Sequence, residues 1–220
     1  MAIPNTNAPM VQARLTAAQR KVIIGSAAGT VFEWYDFYLY GALTATIGAK
    51  FFSGVPEGTA TVFALLTFAA GFLVRPVGAL VFGRLGDLVG RKYTFLVTIL
   101  IMGSATFAVG LLPDAETIGL AAPVILVALR LVQGLALGGE YGGAATYAAE
   151  HAPQARRGFY TAFVQATATG GLLLALLVIL ATRGALGEAA FDAWGWRIPF
   201  LLSIVLLGIS IWIRLRLEES

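Results

Sequence analysis

Charge is scarce in this sequence. Only 12% of its 220 residues are Asp, Glu, Lys or Arg, whereas 58% are hydrophobic, and the mean hydropathy is +0.82. Soluble globular domains carry about 25% charged residues. This shortage of polar surface excludes a soluble globular domain and predicts a membrane protein. The basic residues behind the net charge of +3 are scattered between apolar runs. They form no patch, so a nucleic-acid partner is excluded too.

Cysteine is absent, and histidine occurs once, at His151. The first absence excludes disulfides and thiolate metal sites. A single histidine cannot form a pair of metal ligands, and the sequence contains neither H-E-x-x-H nor G-x-S-x-G. We therefore expect no enzyme, no cofactor and no metal. The N-terminus lacks the short apolar core and cleavage site of a signal peptide, so residues 1–20 are predicted to be a cytoplasmic tail.

Long apolar runs are what the sequence has in abundance. A membrane-spanning helix needs about 20 mostly apolar residues. Six runs meet this requirement and predict an all-α membrane protein with six transmembrane helices, forming one domain over residues 21–220. The predicted spans are residues 22–48, 59–82, 93–113, 118–146, 158–182 and 197–214. The 26 glycines, concentrated in these runs, predict closely packed helices.

Lys and Arg residues are distributed unequally between the two sets of span ends. Of the 15, ten lie at one set of ends, three lie at the opposite set, and two, Arg75 and Arg130, lie within spans. Cytoplasmic segments of membrane proteins carry the excess of positive charge. With an even number of spans, this bias places both termini in the cytoplasm.

The stretch VFEWYDFYLYG, residues 31–41, carries two carboxylates inside an apolar run. Ionisable groups at mid-helix cost about 2.5–3.5 kcal/mol each. On a period of 3.6 residues, Glu33, Asp36 and Tyr40 share one face. At about 1.5 Å rise per residue, Arg130 lies near the depth of the carboxylates, whereas Arg75 lies nearer the inner end. Arg130 is thus the better-matched partner.

These charges have two interpretations. In the first, they line a central polar cavity in which Asp36 takes up a proton, Glu33 assists, and Arg130 holds an anion. In the second, they are structural ion pairs without a function. Under the first interpretation the candidate substrate contacts are Arg75, Tyr40, Tyr35, Gln133 and Gln165.

The segment GRLGDLVGRK, residues 83–92, resembles the loop after the second span of the major facilitator superfamily. RLVQG, residues 130–134, is similar to the fourth-span motif of the same superfamily. Finer features, such as FEWYDFYLYG at 32–41 and the stretch at 71–87, look like the metabolite:proton symporter family. The resemblance covers nearly the whole chain from about residue 20.

The resemblance implies one half of a major facilitator fold, built from 3+3 inverted repeats. It also implies proton-coupled symport of a small organic acid or zwitterion in the inner membrane, with lipid and protons as the other partners. The residues carried over to a conformational gating loop and its contacts are Gly83, Asp87, Gly90, Arg91, Lys92, Glu140, Glu150 and Arg157. In that loop we expect the glycines at 83, 86 and 90 to make tight turns.

The chain departs from the family pattern in its length, because it has only six predicted spans. Superfamily members have two six-span halves, with the substrate site between them. We expect a parallel homodimer, a separately encoded second half, or a truncated or engineered fragment. The alternative function is a non-transporting scaffold or sensor built from half a carrier.

Overall fold

The structure is a computed structural model that describes residues 17–151, 154 and 157–215. All regular elements in this part of the chain are helical. Within these ranges, the backbone but not the side chain is described at 17–29, 91–92, 139–151, 160, 163–164 and 213–214; these side chains lie outside the described set. The helices are α1 Ala17–Ala42, α2 Thr44–Phe51, α3 Glu57–Leu73, α4 Arg75–Val89, α5 Arg91–Leu111, α6 Ala115–Ile118, α7 Ala121–His151, α8 Arg157–Leu186, α9 Glu188–Ala190, a π-turn Phe191–Gly195, α10 Arg197–Leu201 and α11 Ser203–Leu215.

The helices coincide with the apolar runs of the sequence, which confirms an all-α membrane protein. A bent pair, Glu188–Gly195 and Arg197–Trp212, forms one further candidate span if its two parts, at 50° to each other, cross together. Six spans and cytoplasmic termini stay predictions. Within the described residues, four stretches are by themselves long and apolar enough to cross a bilayer: Glu57–Val89, Tyr93–Leu111, Ala121–Gly138 and Gln165–Leu186.

The segment at 83–92, predicted as a loop, is mostly helix. α4 continues through it to Val89 and α5 begins at Arg91, so Gly90 alone connects the two helices. Gly90 has a φ of 104°, a conformation that favours glycine. The predicted tight turns at Gly83 and Gly86 are wrong, because a helix tolerates an interior glycine at a cost of about 1 kcal/mol.

The second predicted span is interrupted near its middle. α3 ends at Leu73, and α4 begins at Arg75 with Pro76 in its first turn. A proline has no N–H to donate, and its ring crowds the preceding turn, so the helix breaks at Val74. The break places Arg75 at the start of a new helix inside the apolar stretch.

Glycines bring α4 into backbone contact with α7. A Cβ atom on Gly78 would meet the carbonyl of Leu135, and a Cβ atom on Gly138 would meet the carbonyl of Arg75. Small residues allow membrane helices to approach this closely, and dispersion contacts then hold them together. The prediction of close packing from the glycine content is confirmed at this crossing.

The largest buried side chains cluster where α2, α10 and the π-turn meet. The Trp196 ring packs edge-on against Phe51 and Phe200, with centroid distances of 5.9 and 6.1 Å. The Arg197 guanidinium donates to the carbonyl of Leu112 at 3.0 Å. These contacts hold α10 against α2 and against the C-terminal end of α5.

Candidate functional site

The Asp36 carboxylate is the centre of a buried polar cluster. The Thr106 hydroxyl donates to Oδ1 at 2.6 Å, and Nε2 of Gln133 donates to Oδ2 at 3.3 Å. Nη1 of Arg130 lies 3.6 Å from Oδ2. Asp36 is 6% exposed. A carboxylate on α1 is therefore compensated by one cation and two neutral donors from α5 and α7.

Arg130 contacts an aromatic ring as well as the carboxylate. Its guanidinium carbon lies 3.9 Å from the centroid of the Tyr40 ring, and the Tyr40 hydroxyl donates to the carbonyl of Ala64 at 3.1 Å. Among the described residues, Nε and Nη2 of Arg130 have no hydrogen-bond partner. A desolvated cation–π contact stabilises a buried guanidinium by about 2 kcal/mol. The free energy that the guanidinium loses when it leaves water is larger. Arg130 therefore keeps donors that can bind a further anionic or polar group.

Helical spacing aligns the members of this cluster. Asp36 and Tyr40 are four residues apart on α1, and Arg130 and Gln133 are three apart on α7, so each pair projects from one helix face. α1 and α7 pack against each other. The distance of 3.6 Å confirms the pairing of Arg130 with Asp36 that the depth of the two residues predicts.

A cavity of about 570 Å³ lies beside the cluster. The charged or amide side chains on its wall are Glu33, Arg75 and Gln165. Glu33 is 2% exposed, whereas Gln165 is exposed at the rim. Small-molecule sites measure about 300–1,000 Å³ and combine apolar walls with a few polar groups. This cavity therefore has the size and the charges to bind a small polar metabolite.

Arg75 links the large cavity to the Asp36 cluster. Its guanidinium carbon lies 4.0 Å from the Phe72 ring centroid and 5.4 Å from that of Phe37. Arg75 also lines a space of about 30 Å³ that includes Asp36 and Arg130 on its walls. That volume has room for about two waters. The two arginines therefore line one small common space, whose walls are otherwise mostly apolar.

The predicted substrate contacts divide into separate groups. Arg75 and Gln165 line the large cavity, as proposed. Gln133 donates to Asp36 instead, and Tyr40 packs under the Arg130 guanidinium. Both of these side chains hold the charged pair and do not line the large cavity.

Tyr35 lies on another side of α1. Its hydroxyl donates to the carbonyl of Pro199 at 2.7 Å, and the side chain is 1% exposed. Successive residues of a helix are turned by about 100°, so Tyr35 faces α10 when Asp36 faces α7. This geometry corrects the expectation that Tyr35 contacts a substrate in the cavity.

The residues predicted to form a gating loop are only partly described. Gly83 and Asp87 lie within helix α4, and Asp87 and Arg157 are exposed. Gly90 joins α4 to α5. The predicted roles of Arg91, Lys92, Glu140 and Glu150 concern side chains outside the described set. A gating role for this group stays a prediction.

Thr106 is the site residue that sequence reasoning missed. A threonine in an apolar helix attracts little attention because its hydroxyl can bond to its own helix. The Thr106 hydroxyl lies 2.9 Å from the carbonyl of Met102, but its one proton can instead go to Asp36 at 2.6 Å. The depth argument used for the charges applies equally to uncharged polar residues. Applied to the third predicted span, it would have selected Thr106 as a neighbour of Asp36.

A family profile described as sugar (and other) transporter matches residues 21–220. The chain belongs to this family. Its members are transporters and not enzymes, in agreement with the prediction from the sequence.

Two relatives show how much of a family member the chain covers. The shikimate transporter of Escherichia coli K12 is 45% identical over 202 residues, and the proline/betaine transporter of the same strain is 40% identical over 201. Both alignments cover 91% of this chain, but only 46% and 40% of the two relatives. The chain thus spans about half the length of these relatives.

The fold is that of the major facilitator superfamily. The proton:xylose symporter XylE of E. coli matches with a TM-score of 0.80 at 17% identity, over 92% of this chain and 45% of XylE. At this identity the likeness concerns the fold alone. Together with the family profile and the relatives, it confirms the resemblance to the superfamily and a multi-pass membrane protein with the fold of one half of a carrier.

Proposed function

We propose that the chain is a six-helix half of a proton-coupled symporter for a small organic acid or zwitterion. It acts in the inner membrane, surrounded by lipid, with both termini in the cytoplasm. The observation that carries the proposal is the buried Asp36–Arg130 pair next to a cavity of about 570 Å³. The relatives support the substrate class, because shikimate is an organic acid and betaine is a zwitterion.

Asp36 is the proposed protonation site, and Arg130 couples it to the substrate. While Asp36 is ionised, its carboxylate compensates the charge of Arg130. Protonation removes this compensation and leaves a cation in an apolar interior, which is unfavourable. A substrate carboxylate restores the balance by accepting from the free N–H groups of Arg130. Proton and anion therefore bind together more favourably than either binds alone.

The wall of the large cavity provides charges of both signs for the substrate. Arg75, which packs on the Phe72 ring, suits a substrate carboxylate. Glu33 suits a cationic or hydrogen-bond-donating part of the same molecule and assists Asp36 in the proton step. Gln165 at the rim offers an amide to either part.

Uptake into proteoliposomes tests the transport proposal. Shikimate, proline and betaine are supplied with and without a proton gradient, and the proposal expects the gradient to drive accumulation of at least one of them. Asp36→Asn should abolish this accumulation while substrate exchange persists, because the asparagine cannot release a proton. Glu116→Gln removes an exposed carboxylate and is the control. Accumulation by Asp36→Asn at the wild-type rate would exclude Asp36 from the role.

A second six-helix unit completes the cavity in this proposal. Phe72 is 39% exposed, and Pro76 and Gln165 are exposed beside it at the rim. In major facilitator proteins the substrate site lies between two halves. For the chain expressed alone we propose a parallel homodimer; a separately encoded second half would cover the same face.

Native mass spectrometry and crosslinking in mild detergent test the homodimer. We expect a mass of twice the chain and crosslinks between two copies. A monomer that is fully active in liposomes would overturn this part of the proposal. Binding of shikimate or betaine without any uptake would instead indicate the non-transporting sensor.

A further inference from the structure

The side-chain amide of Gln133 uses only one of its two ends inside the protein. Its Nε2 atom donates to Oγ of Thr106 at 2.8 Å and to Oδ2 of Asp36 at 3.3 Å. Its Oε1 atom has no hydrogen-bond partner among the described residues, although Gln133 is only 4% exposed. Buried polar atoms are normally hydrogen-bonded. The carbonyl end of this amide is therefore incomplete without a further group or a second orientation.

The hydrogen bonds from Gln133 to Asp36 form a chain with a fixed direction. Gln133 donates to Thr106, and the Thr106 hydroxyl donates to Oδ1 of Asp36 at 2.6 Å. A carboxylate only accepts hydrogen bonds, and an amide NH₂ group only donates them. The ionised Asp36 carboxylate therefore holds the NH₂ end of Gln133 on its own side and leaves the carbonyl oxygen without a partner.

A proton on Asp36 allows the same chain to run in the opposite direction. The carboxyl O–H group then donates to Oγ of Thr106, and the Thr106 hydroxyl can donate to a carbonyl oxygen at the position of Nε2. The oxygen and the nitrogen of an amide are nearly the same size. A half-turn of the Gln133 amide therefore supplies that oxygen without a movement of the backbone. Apart from the proton that Asp36 takes up, no covalent bond forms or breaks.

The half-turn changes what Gln133 offers to a ligand. Gln133, Arg75 and Arg130 line the same small space of about 30 Å³, which has room for about two waters or for the two oxygens of a carboxylate. While Asp36 is ionised, the free end of the amide is a carbonyl oxygen, which repels a carboxylate because both groups accept hydrogen bonds. After the half-turn, the free end is an NH₂ group, which donates to a carboxylate.

We propose that Gln133 is an amide switch that turns over when Asp36 takes up a proton, and that its NH₂ group then donates to the substrate carboxylate between Arg75 and Arg130. The proposal rests on the proposed role of Asp36 as the protonation site. It adds a neutral residue to the coupling of proton and substrate that the charges of Asp36 and Arg130 provide.

A competing arrangement of the protonated cluster leaves the amide where it is. The Thr106 hydroxyl can turn to the carbonyl of Met102, 2.9 Å away, while Gln133 continues to donate to Thr106. A substrate carboxylate opposes this arrangement, because it would meet the carbonyl oxygen of Gln133. Proton and carboxylate therefore favour the turned amide together.

The charged groups that face the switch are arginines. Nη1 of Arg130 lies 3.6 Å from Oδ2 of Asp36, and Arg75 lines the small space beside it. Arginine stays protonated in proteins, and the other residues that line this space are uncharged. The further titratable side chains nearby on α1 are Glu33, Tyr35 and Tyr40. The carboxylate among them lines the large cavity, and the two tyrosine hydroxyls donate to backbone carbonyls. Asp36 is thus the group whose protonation can turn the amide.

Infrared difference spectroscopy of the full chain in lipid tests the switch. The glutamines, five in the sequence, are labelled with ¹³C at the side-chain carbonyl, and the Gln133 band is assigned by its loss in Gln133→Leu. The carboxyl band that disappears in Asp36→Asn reports the protonation of Asp36. We expect the Gln133 band to move to lower frequency as the Asp36 band appears, because the carbonyl gains a hydroxyl donor. Shikimate should enlarge this change.

Thr106→Val tests the chain of hydrogen bonds, because it removes the connecting hydroxyl and keeps the shape of the side chain. We expect the shift of the Gln133 band to be largely lost, although Asp36 still takes up its proton. The matched control is Thr94→Val, which removes another buried α5 hydroxyl, bonded to the carbonyl of Gly90 at 3.2 Å, and should leave the shift intact. A wild-type Gln133 band that stays in place when Asp36 is protonated, with and without shikimate, would overturn the proposal.

The affinity for shikimate gives a second measurement. Dissociation constants of wild type and Thr106→Val are compared with Asp36 fully ionised and fully protonated, as judged from its own band. With Asp36 protonated, the variant should bind about tenfold more weakly, the factor for loss of a hydrogen bond to a charged group; with Asp36 ionised, the two should not differ. Equal weakening in both states would indicate a purely structural role for the threonine and overturn the switch.

Failure of the proposed function has different signs. Absence of gradient-driven uptake in the wild type would contradict proton-coupled transport, but the infrared bands and the binding of shikimate do not depend on transport. Absence of a carboxyl band assigned to Asp36 would remove the protonation site itself. The switch fails alone when uptake and the Asp36 band are present and the Gln133 band does not respond.

Discussion

At the scale of single residues, two opposite charges stabilise each other inside apolar helices. The Asp36 carboxylate and the Arg130 guanidinium are both nearly fully buried and lie 3.6 Å apart. Removing one partner of a buried ion pair costs about 3–5 kcal/mol, because the other charge is left without compensation. The remaining donors, Thr106 and Gln133, are neutral and do not replace the charge.

We predict that Arg130→Met destabilises the protein by about 3 kcal/mol or more, and that adding Asp36→Asn restores most of the loss. Thermal unfolding in detergent, measured as a double-mutant cycle, gives the coupling free energy. Glu188→Gln is the matched control: Glu188 pairs with Arg183 at 3.4 Å but is 71% exposed, so we expect a change below about 1 kcal/mol. Additive effects of the two buried substitutions would contradict the pairing.

At the scale of helices, the crossing of α4 over α7 depends on the absence of side chains. Gly78 and Gly138 let the backbones of the two helices touch. The break at Val74 lies at the start of the same segment, because α4 begins at Arg75. Together they position Arg75 between the large cavity and the Asp36 cluster.

Two glycine-to-alanine changes within α4 separate packing from helix propensity. Gly78→Ala places a methyl group against the carbonyl of Leu135, so we expect a lower unfolding temperature. Gly83→Ala meets nothing within 4 Å and should be neutral or stabilising by up to about 1 kcal/mol. Unfolding temperatures in detergent compare the two. Equal stability of both variants would contradict the close contact of the backbones.

At the scale of the whole molecule, orientation in the membrane follows from the charge distribution alone. The ten-to-three division of Lys and Arg predicts which helix ends lie in the cytoplasm. On this prediction, the turn after α2 and the α8–α9 junction lie on one side of the membrane, and the end of α4 and Gln154 lie on the other.

Single cysteines test this orientation without background, because the chain contains none of its own. We expect an impermeant maleimide to label Gly54→Cys and Ala189→Cys from outside the cell. Asp87→Cys and Gln154→Cys should react only after the membrane is permeabilised. All four positions are exposed. Labelling of Gly54→Cys and Asp87→Cys from the same side would contradict the predicted topology.

The sequence by itself determined the helical membrane class and the match in depth between Asp36 and Arg130. These features follow from local composition and from helix rise and period, which need no knowledge of neighbours. The same reasoning wrongly predicted tight turns at Gly83 and Gly86. There the interior of α4 tolerates glycine, and only Gly90 turns the chain.

Only the tertiary structure decided which polar side chains meet. Thr106 contacts Asp36 across 70 residues of sequence, and Tyr35 reaches Pro199 across 164. The choice between these partners depends on the rotation and crossing of α1, α5, α7 and α10. Those angles arise from contacts among several helices at once. The periodicity of a single helix does not determine these angles, and for this physical reason the sequence alone did not predict which side chains meet.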